Sequence, residues 1–214
     1  MTGRSPREAL ELADYRARVA ELYLECAGGG ADQLAAFRRG RDQLFAEHPA
    51  SALTAEQKAG FEGLPYFPHD PAARVTCELG PPDREGGLEI DSGGEDGVVR
   101  YARVGRLETP WGGLTLFWTE GYGGNLFLPF RDATAPAETY GAGRYLTDAI
   151  KGTFAGGLEV PPPGADPLAV TLDFNYAYNP SCAYNSRWAC PLAPPENRLD
   201  EPIRAGELKF PGAV

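Results

Sequence analysis

The chain reads as α+β and mainly β: an N-terminal helical arm followed by an antiparallel β domain of barrel-like or sandwich form. Three observations predict this class. Apolar residues recur at three- and four-residue steps only within the first 60 positions. From Leu64 onward, short runs rich in Val, Thr, Tyr, Phe and Trp are spaced by turn residues, with no helix-length pattern between them. Glycine and proline (27 and 20 of 214 residues) make up about 22% of the chain against an ordinary share of roughly 12%, which excludes a protein built of long helices.

In the arm, Leu12, Tyr15, Val19, Leu22, Tyr23 and Cys26 form the apolar stripe of a first helix, and Gly28, Gly29 and Gly30 end it. A second helix over 32–47 repeats the pattern with Leu34, Phe37, Arg41, Leu44 and Phe45, until His48-Pro49 stops it. Thr54-Ala55-Glu56-Gln57 has the form of a capping box and opens a short third helix toward Phe61. This arm, 1–62, is expected to pack on the β domain, 63–214.

Strands are expected at 74–79, 88–91, 98–108, 114–120, 125–130, 144–150 and 168–178. Pro110-Trp111-Gly112-Gly113 and Gly121-Tyr122-Gly123-Gly124 are tight connections between successive strands, as in a meander that curls on itself. The last stretch, after Tyr178, is irregular and proline-rich, yet too aromatic for a disordered tail. It is expected to wrap over the end or side of the sheet.

The formal charge of −10 and pI near 4.7 argue against nucleic acid and anionic membrane surfaces as partners, since both need clustered Lys and Arg. Seven acids (Glu78, Asp83, Glu85, Glu89, Asp91, Glu95, Asp96) fall close together and read as a solvated loop ahead of a cation site. No apolar segment is long enough to span a bilayer and the N-terminus has no signal-like core, so the cytoplasm is the expected location. Four scattered cysteines do not form a disulfide framework.

Phosphate-loop, nucleophile-elbow, zinc-protease, Cys-x-x-Cys and dinucleotide signatures are missing from the sequence, so no cofactor is assigned. His48 and His69, both beside prolines or turns, read as surface or capping residues, and no metal site is expected. Two segments carry more chemistry. In 130–145, Arg131, Asp132, Glu138 and Arg144 gather at the ends of consecutive strands. Arg131 and Arg144 would either clamp an anion bidentately or be neutralised by the neighbouring carboxylates.

In 172–184, a period-two reading puts Leu172, Phe174, Tyr176 and Tyr178 on one face and Asp173, Asn175 and Ala177 on the other. If that second face points into a barrel, Asp173 and Asn175 line a pocket; if it points outward they are only solvated. Cys182 and Cys190 remain open among a bonded or metal-binding pair, a reactive thiol and plain buried sulfur. A thiol activated by Arg131, Arg144 or Arg187 would be nucleophilic.

The runs Leu126-Phe127-Leu128-Pro129-Phe130-Arg131-Asp132-Ala133-Thr134, Glu138-Thr139-Tyr140-Gly141-Ala142-Gly143-Arg144-Tyr145-Leu146, Leu172-Asp173-Phe174-Asn175 and Tyr178-Asn179-Pro180-Ser181-Cys182-Ala183-Tyr184, with Cys190-Pro191 through Asn197, resemble the bacterial domain of unknown function 1684 over about residues 50 to 206. That resemblance implies no named activity. Its matching residues are largely polar, and buried polar groups need partners.

The function expected is therefore the handling of a small polar or anionic molecule in a barrel pocket. Arg131, Arg144, Asp132, Asn175 and Asn179 would bind it. In an enzymatic version Asp173 or Glu138 is the general base, Tyr140 a hydrogen-bond donor and Cys182 a nucleophile, for hydrolysis or group transfer. The alternatives are a non-catalytic binding barrel and an interaction protein whose motifs only shape its core and loops. No oligomeric state is assigned.

Overall fold

The computed structural model describes residues 4–26, 28–91, 97–148 and 156–211. Glu95 and Asp96 of the acidic stretch, and positions 149–150 of an expected strand, lie outside them. Among the described residues the arm holds three helices, α1 (Pro6–Cys26), α2 (Ala31–Glu47) and α3 (Ala55–Ala59). The expected capping box opens α3: Gln57 N donates to Thr54 Oγ1 at 3.1 Å and Thr54 N to Gln57 Oε1 at 2.8 Å. His48 is the residue after α2, and its backbone N–H still reaches Leu44 O.

Among the described residues eight antiparallel strands follow: β1 (Arg74–Gly80), β2 (Gly87–Asp91), β3 (Val98–Thr109), β4 (Gly112–Thr119), β5 (Leu126–Phe130), β6 (Arg144–Asp148), β7 (Leu158–Glu159) and β8 (Ala169–Asp173). They pair in the order β6-β5-β4-β3-β1-β8-β7, with β2 on the other half of the long β3. The ends of this path nearly meet. Gly157 N donates to Leu146 O at 2.8 Å and Asp173 N to Gly157 O at 2.7 Å, drawing β7 against β6 into a nearly closed barrel. A side chain at 157 would place its Cβ 2.5 Å from Asp173 O, so only glycine allows this approach.

The interior of the barrel is filled by Leu107, Leu114, Leu128, Phe130, Leu146, Leu172 and Phe174, all fully buried. The expectation of Asp173 and Asn175 lining a lumen is thereby corrected. In β8 the alternation places Val170 and Leu172 in the core, and Asp173 faces Arg74, with Oδ2 4.0 Å from Arg74 Nε. The expected strand 168–178 also ends early. Asp173 Oδ1 accepts from Asn175 N at 3.0 Å, which turns Phe174–Tyr176 into a short 3-10 helix and breaks the period of two.

The arm packs on this barrel through two apolar clusters. Val19, Tyr23, Cys26, Leu34 and Phe37 close around Tyr176, whose hydroxyl donates to Cys26 O at 2.6 Å. Phe45, Ala52, Leu53 and Leu64 pack on Tyr184 and Phe210. Each fully buried Phe or Leu contributes about 1.5–3 kcal/mol, so these contacts make the arm part of one folded unit. Among the described residues no helix is long and apolar enough to cross a membrane.

Candidate anion-binding site

The polar residues of the 130–145 loop are sorted by strand register. Phe130 pairs directly with Arg144 across β5 and β6, so these two share a face, and Arg131, one residue on, takes the other. Arg144 therefore enters the core and Arg131 does not. Gly143 makes the turn possible: its φ is +102° and a Cβ there would lie 2.4 Å from Phe130 O.

Arg144 is completely buried. Its terminal nitrogens donate to Asp132 Oδ1 at 3.2 Å, Ile203 O at 2.9 Å, Glu207 O at 3.3 Å and Ala205 O. Asp132 also accepts from Ile203 N at 2.7 Å and from Thr134 Oγ1. Together they staple the tail segment 203–207 to the barrel wall. Burial pulls the Arg144 pKa down, and the Asp132 carboxylate offsets only part of that.

Arg131 instead meets Arg198. The two form a parallel bridge, flanked by Arg131 N to Asn197 O at 3.0 Å and Leu199 N to Arg131 O at 2.8 Å, which sets their side chains next to each other on one face. Arg131 Nε donates to Gly141 O at 2.8 Å. Among the described residues neither guanidinium meets a carboxylate. Both line a depression of about 410 Å³ with Gly141, Ala142, Leu192 and Ala193. Two adjacent cations without a counter-charge repel each other, and a bound anion relieves that repulsion.

The remaining expected site residues occupy four other places. Glu138 forms a two-pronged surface pair with Arg204, both contacts at 3.1 Å. Tyr140 Oη lies 3.7 Å from Cys182 Sγ, one residue before the depression's Gly141; burial, then the neighbouring sulfur, pushes the tyrosine pKa up. Asp173 and Asn175 form a clasp, with Asn175 Nδ2 donating to Asp173 Oδ1 at 2.9 Å and to Asp70 O at 2.8 Å. Burial raises the Asp173 pKa in spite of those bonds.

Asn179 sits at the joint with the arm, where its N donates to Glu207 Oε2 at 2.9 Å and its Nδ2 to Leu208 O at 2.8 Å. Of the nine residues, Arg131 and Asn179 line described cavities, and these are two different ones. Among the described residues no disulfide joins any of the four cysteines. Arg187, a candidate activator of Cys182, stacks on Trp188 at 4.7 Å and donates to Ser51 O. Among the described residues no group of three or more His, Cys, Asp and Glu is placed to hold a metal.

Sequence reasoning missed Arg198 and Glu207. Arg198 had no visible pairing, because its neighbour Arg131 is 67 positions away and only the tail's path joins them. Arg41 carried a signal: it occupies a position in the apolar stripe of α2, and a charge there demands a buried partner, which is Glu207 at 3.1 Å.

The family described as "Protein of unknown function (DUF1684)" matches residues 59–208. The solution NMR structure of an uncharacterized protein from Haloarcula marismortui is similar at 32% identity, covering 83% of this chain and 92% of that one, with a TM-score of 0.55. No curated protein matches the chain.

Proposed function

Because the chain belongs to the DUF1684 family, whose description names no activity, we propose its function from the site: it binds a small anionic molecule at Arg131 and Arg198. One observation carries the reading. Arg131 and Arg198 are bridge partners that both line a concave surface with no carboxylate in its lining, in a protein of net charge −10. The whole lining of that depression also falls within the family-matched residues, which is where a family-wide site belongs.

In this reading a carboxylate or phosphate oxygen pair bridges the two guanidinium groups, and Leu192 and Ala193 meet the apolar side of the ligand. Arg144 and Asp132 hold the tail segment against the barrel wall, and Asp173 and Asn175 brace the end of β8 elsewhere. Binding without turnover is favoured over catalysis, because Arg144 and Arg187 are committed to partners other than Cys182. The catalytic version keeps Cys182 as nucleophile beside the Tyr140 hydroxyl, with Glu138 or Asp173 as base. In this reading the setting is the cytoplasm of a bacterial cell, where cysteines without disulfides are usual.

Calorimetric titration with inorganic phosphate and with succinate tests the reading. The double variant R131A/R198A should lose roughly tenfold or more in affinity, as expected for two charge-assisted contacts. Unchanged affinity would sink the assignment. Alkylation of Cys182 at neutral pH no faster than that of the buried Cys26 would count against the thiol mechanism and leave the binding reading standing.

A further inference from the structure

Between α1, α2 and the segment after Tyr178 lies a second cavity of about 130 Å³. Its walls are aromatic, from Tyr15, Phe45, Tyr178, Tyr184 and Trp188, and its charged lining is Arg4, Arg16 and Arg41 with no carboxylate. Arg41 and Asn179 on its wall each leave a buried polar atom without a partner. Arg41 is 6% exposed and bonds protein through Nη2 alone, to Glu207 Oε2 and Tyr184 Oη, while its Nε has no acceptor. Asn179 is 2% exposed; its Nδ2 is fixed by Leu208 O, and its Oδ1 has no donor.

The Leu208 carbonyl settles which way the Asn179 amide points, since only the NH₂ can face it. Residues of the wall thus carry one unpaired donor, Arg41 Nε, and one unpaired acceptor, Asn179 Oδ1. Leaving either without a partner costs free energy, so the cavity is complementary to a molecule that supplies both. A carboxylate answers Arg41, and a hydroxyl or amino group beside it answers Asn179. Aromatic walls suit a short apolar body, and the volume suits a ligand of about benzene's size, which a cavity of roughly 150 Å³ accommodates.

We propose that the joint between arm and barrel is a second ligand site, separate from the Arg131 and Arg198 depression, for a small 2-hydroxy or 2-amino carboxylate with an apolar body. Its lining takes in arm residues from Arg4 to Ala52, all of which precede the family-matched region. The arm is thereby a wall of a binding site as well as a packing element.

Titration of the full-length protein with 2-hydroxybutyrate, butyrate and 2-hydroxybutyramide tests this. The hydroxy acid should bind about tenfold or more tightly than either analogue, each of which lacks one of the two matching groups. A189L, which fills the cavity from a half-buried position and leaves Arg41 and Asn179 in place, should abolish that binding while circular dichroism stays unchanged. R131A/R198A should leave it intact. Equal affinity for all three compounds, loss of binding in R131A/R198A, or a crystal structure soaked in 2-hydroxybutyrate with only water on Arg41 Nε and Asn179 Oδ1 would each overturn the proposal. If A189L fails to fold, A189V carries the same test with a smaller obstruction.

Discussion

Arg144 in β6 and Arg41 in α2 both send a guanidinium to the segment 203–207, one from the barrel wall and the other from the helical arm. Both are buried and each has one carboxylate partner, Asp132 and Glu207 respectively. They differ in saturation. Arg144 spends both terminal nitrogens on four protein acceptors, three of them backbone carbonyls, although its Nε, like that of Arg41, has no acceptor. Arg41 bonds through one nitrogen, beside a cavity. Burial lowers the Arg144 pKa; it works against Arg41 as well, but there the Glu207 carboxylate outweighs it and the pKa rises. A buried arginine is thus a staple where protein acceptors surround it, and has capacity for a ligand where they do not.

The largest effect separates the two arginines. R144M leaves Asp132 buried without its cation and should cost about 3–5 kcal/mol in urea unfolding. R41M also strands a buried carboxylate, Glu207, but orphans no backbone carbonyl, so it should cost less, toward the low end of that range at about 3 kcal/mol. Equal losses would break the distinction between a guanidinium that holds four protein acceptors and one that holds two.

A third arginine pairing sharpens it, this time on the outer face. Glu196 receives Arg103 at 2.8 Å and Arg84 at 3.0 Å. Burial tends to raise its pKa, but the hydrogen bonds from the two arginines outweigh that and hold it below the usual glutamate value. A depressed folded pKa means that this stabilisation is present above the ordinary value near 4.5 and is lost as pH falls through the folded one. E196Q should therefore cost about 1.5 kcal/mol at pH 7 and flatten the acid limb of stability below pH 4.5. An acid limb that stays as steep in E196Q would move the effect to another carboxylate.

The sequence carries the two regions unequally. Helices α1 to α3 and β1 to β6 follow from periodicity and capping, because the stripe of α1 and the Thr54 to Gln57 box depend on neighbours only a few residues away. The two-residue β7 has no period to read, and it exists because Gly157 lets Leu146 and Asp173 approach. Likewise the strand expected through Tyr178 stops at Asp173, since a local side-chain bond wins over alternation. At the site, Arg131 was visible as a candidate, whereas its partner Arg198 and the inward turn of Arg144 depend on which strand faces which. Such register is a tertiary property, and no local pattern states it.

The smallest effect concerns how the arm is held. Thr54 Oγ1 accepts the N–H of Gln57, and Gln57 Nε2 reaches across to Tyr184 O at 2.7 Å, so the capping box is also a tether to the segment that carries Asn179 and Tyr184. T54A frees one exposed N–H that water then satisfies, and should cost about 1 kcal/mol. T54S keeps the hydroxyl and should be nearly neutral. Q57A removes the tether as well as half of the box, so it should exceed T54A while remaining below R41M. If T54A instead cost more than R41M in the same urea titration, the arm would be fastened by its cap, and the buried Arg41 to Glu207 pair would owe its place to the neighbouring cavity.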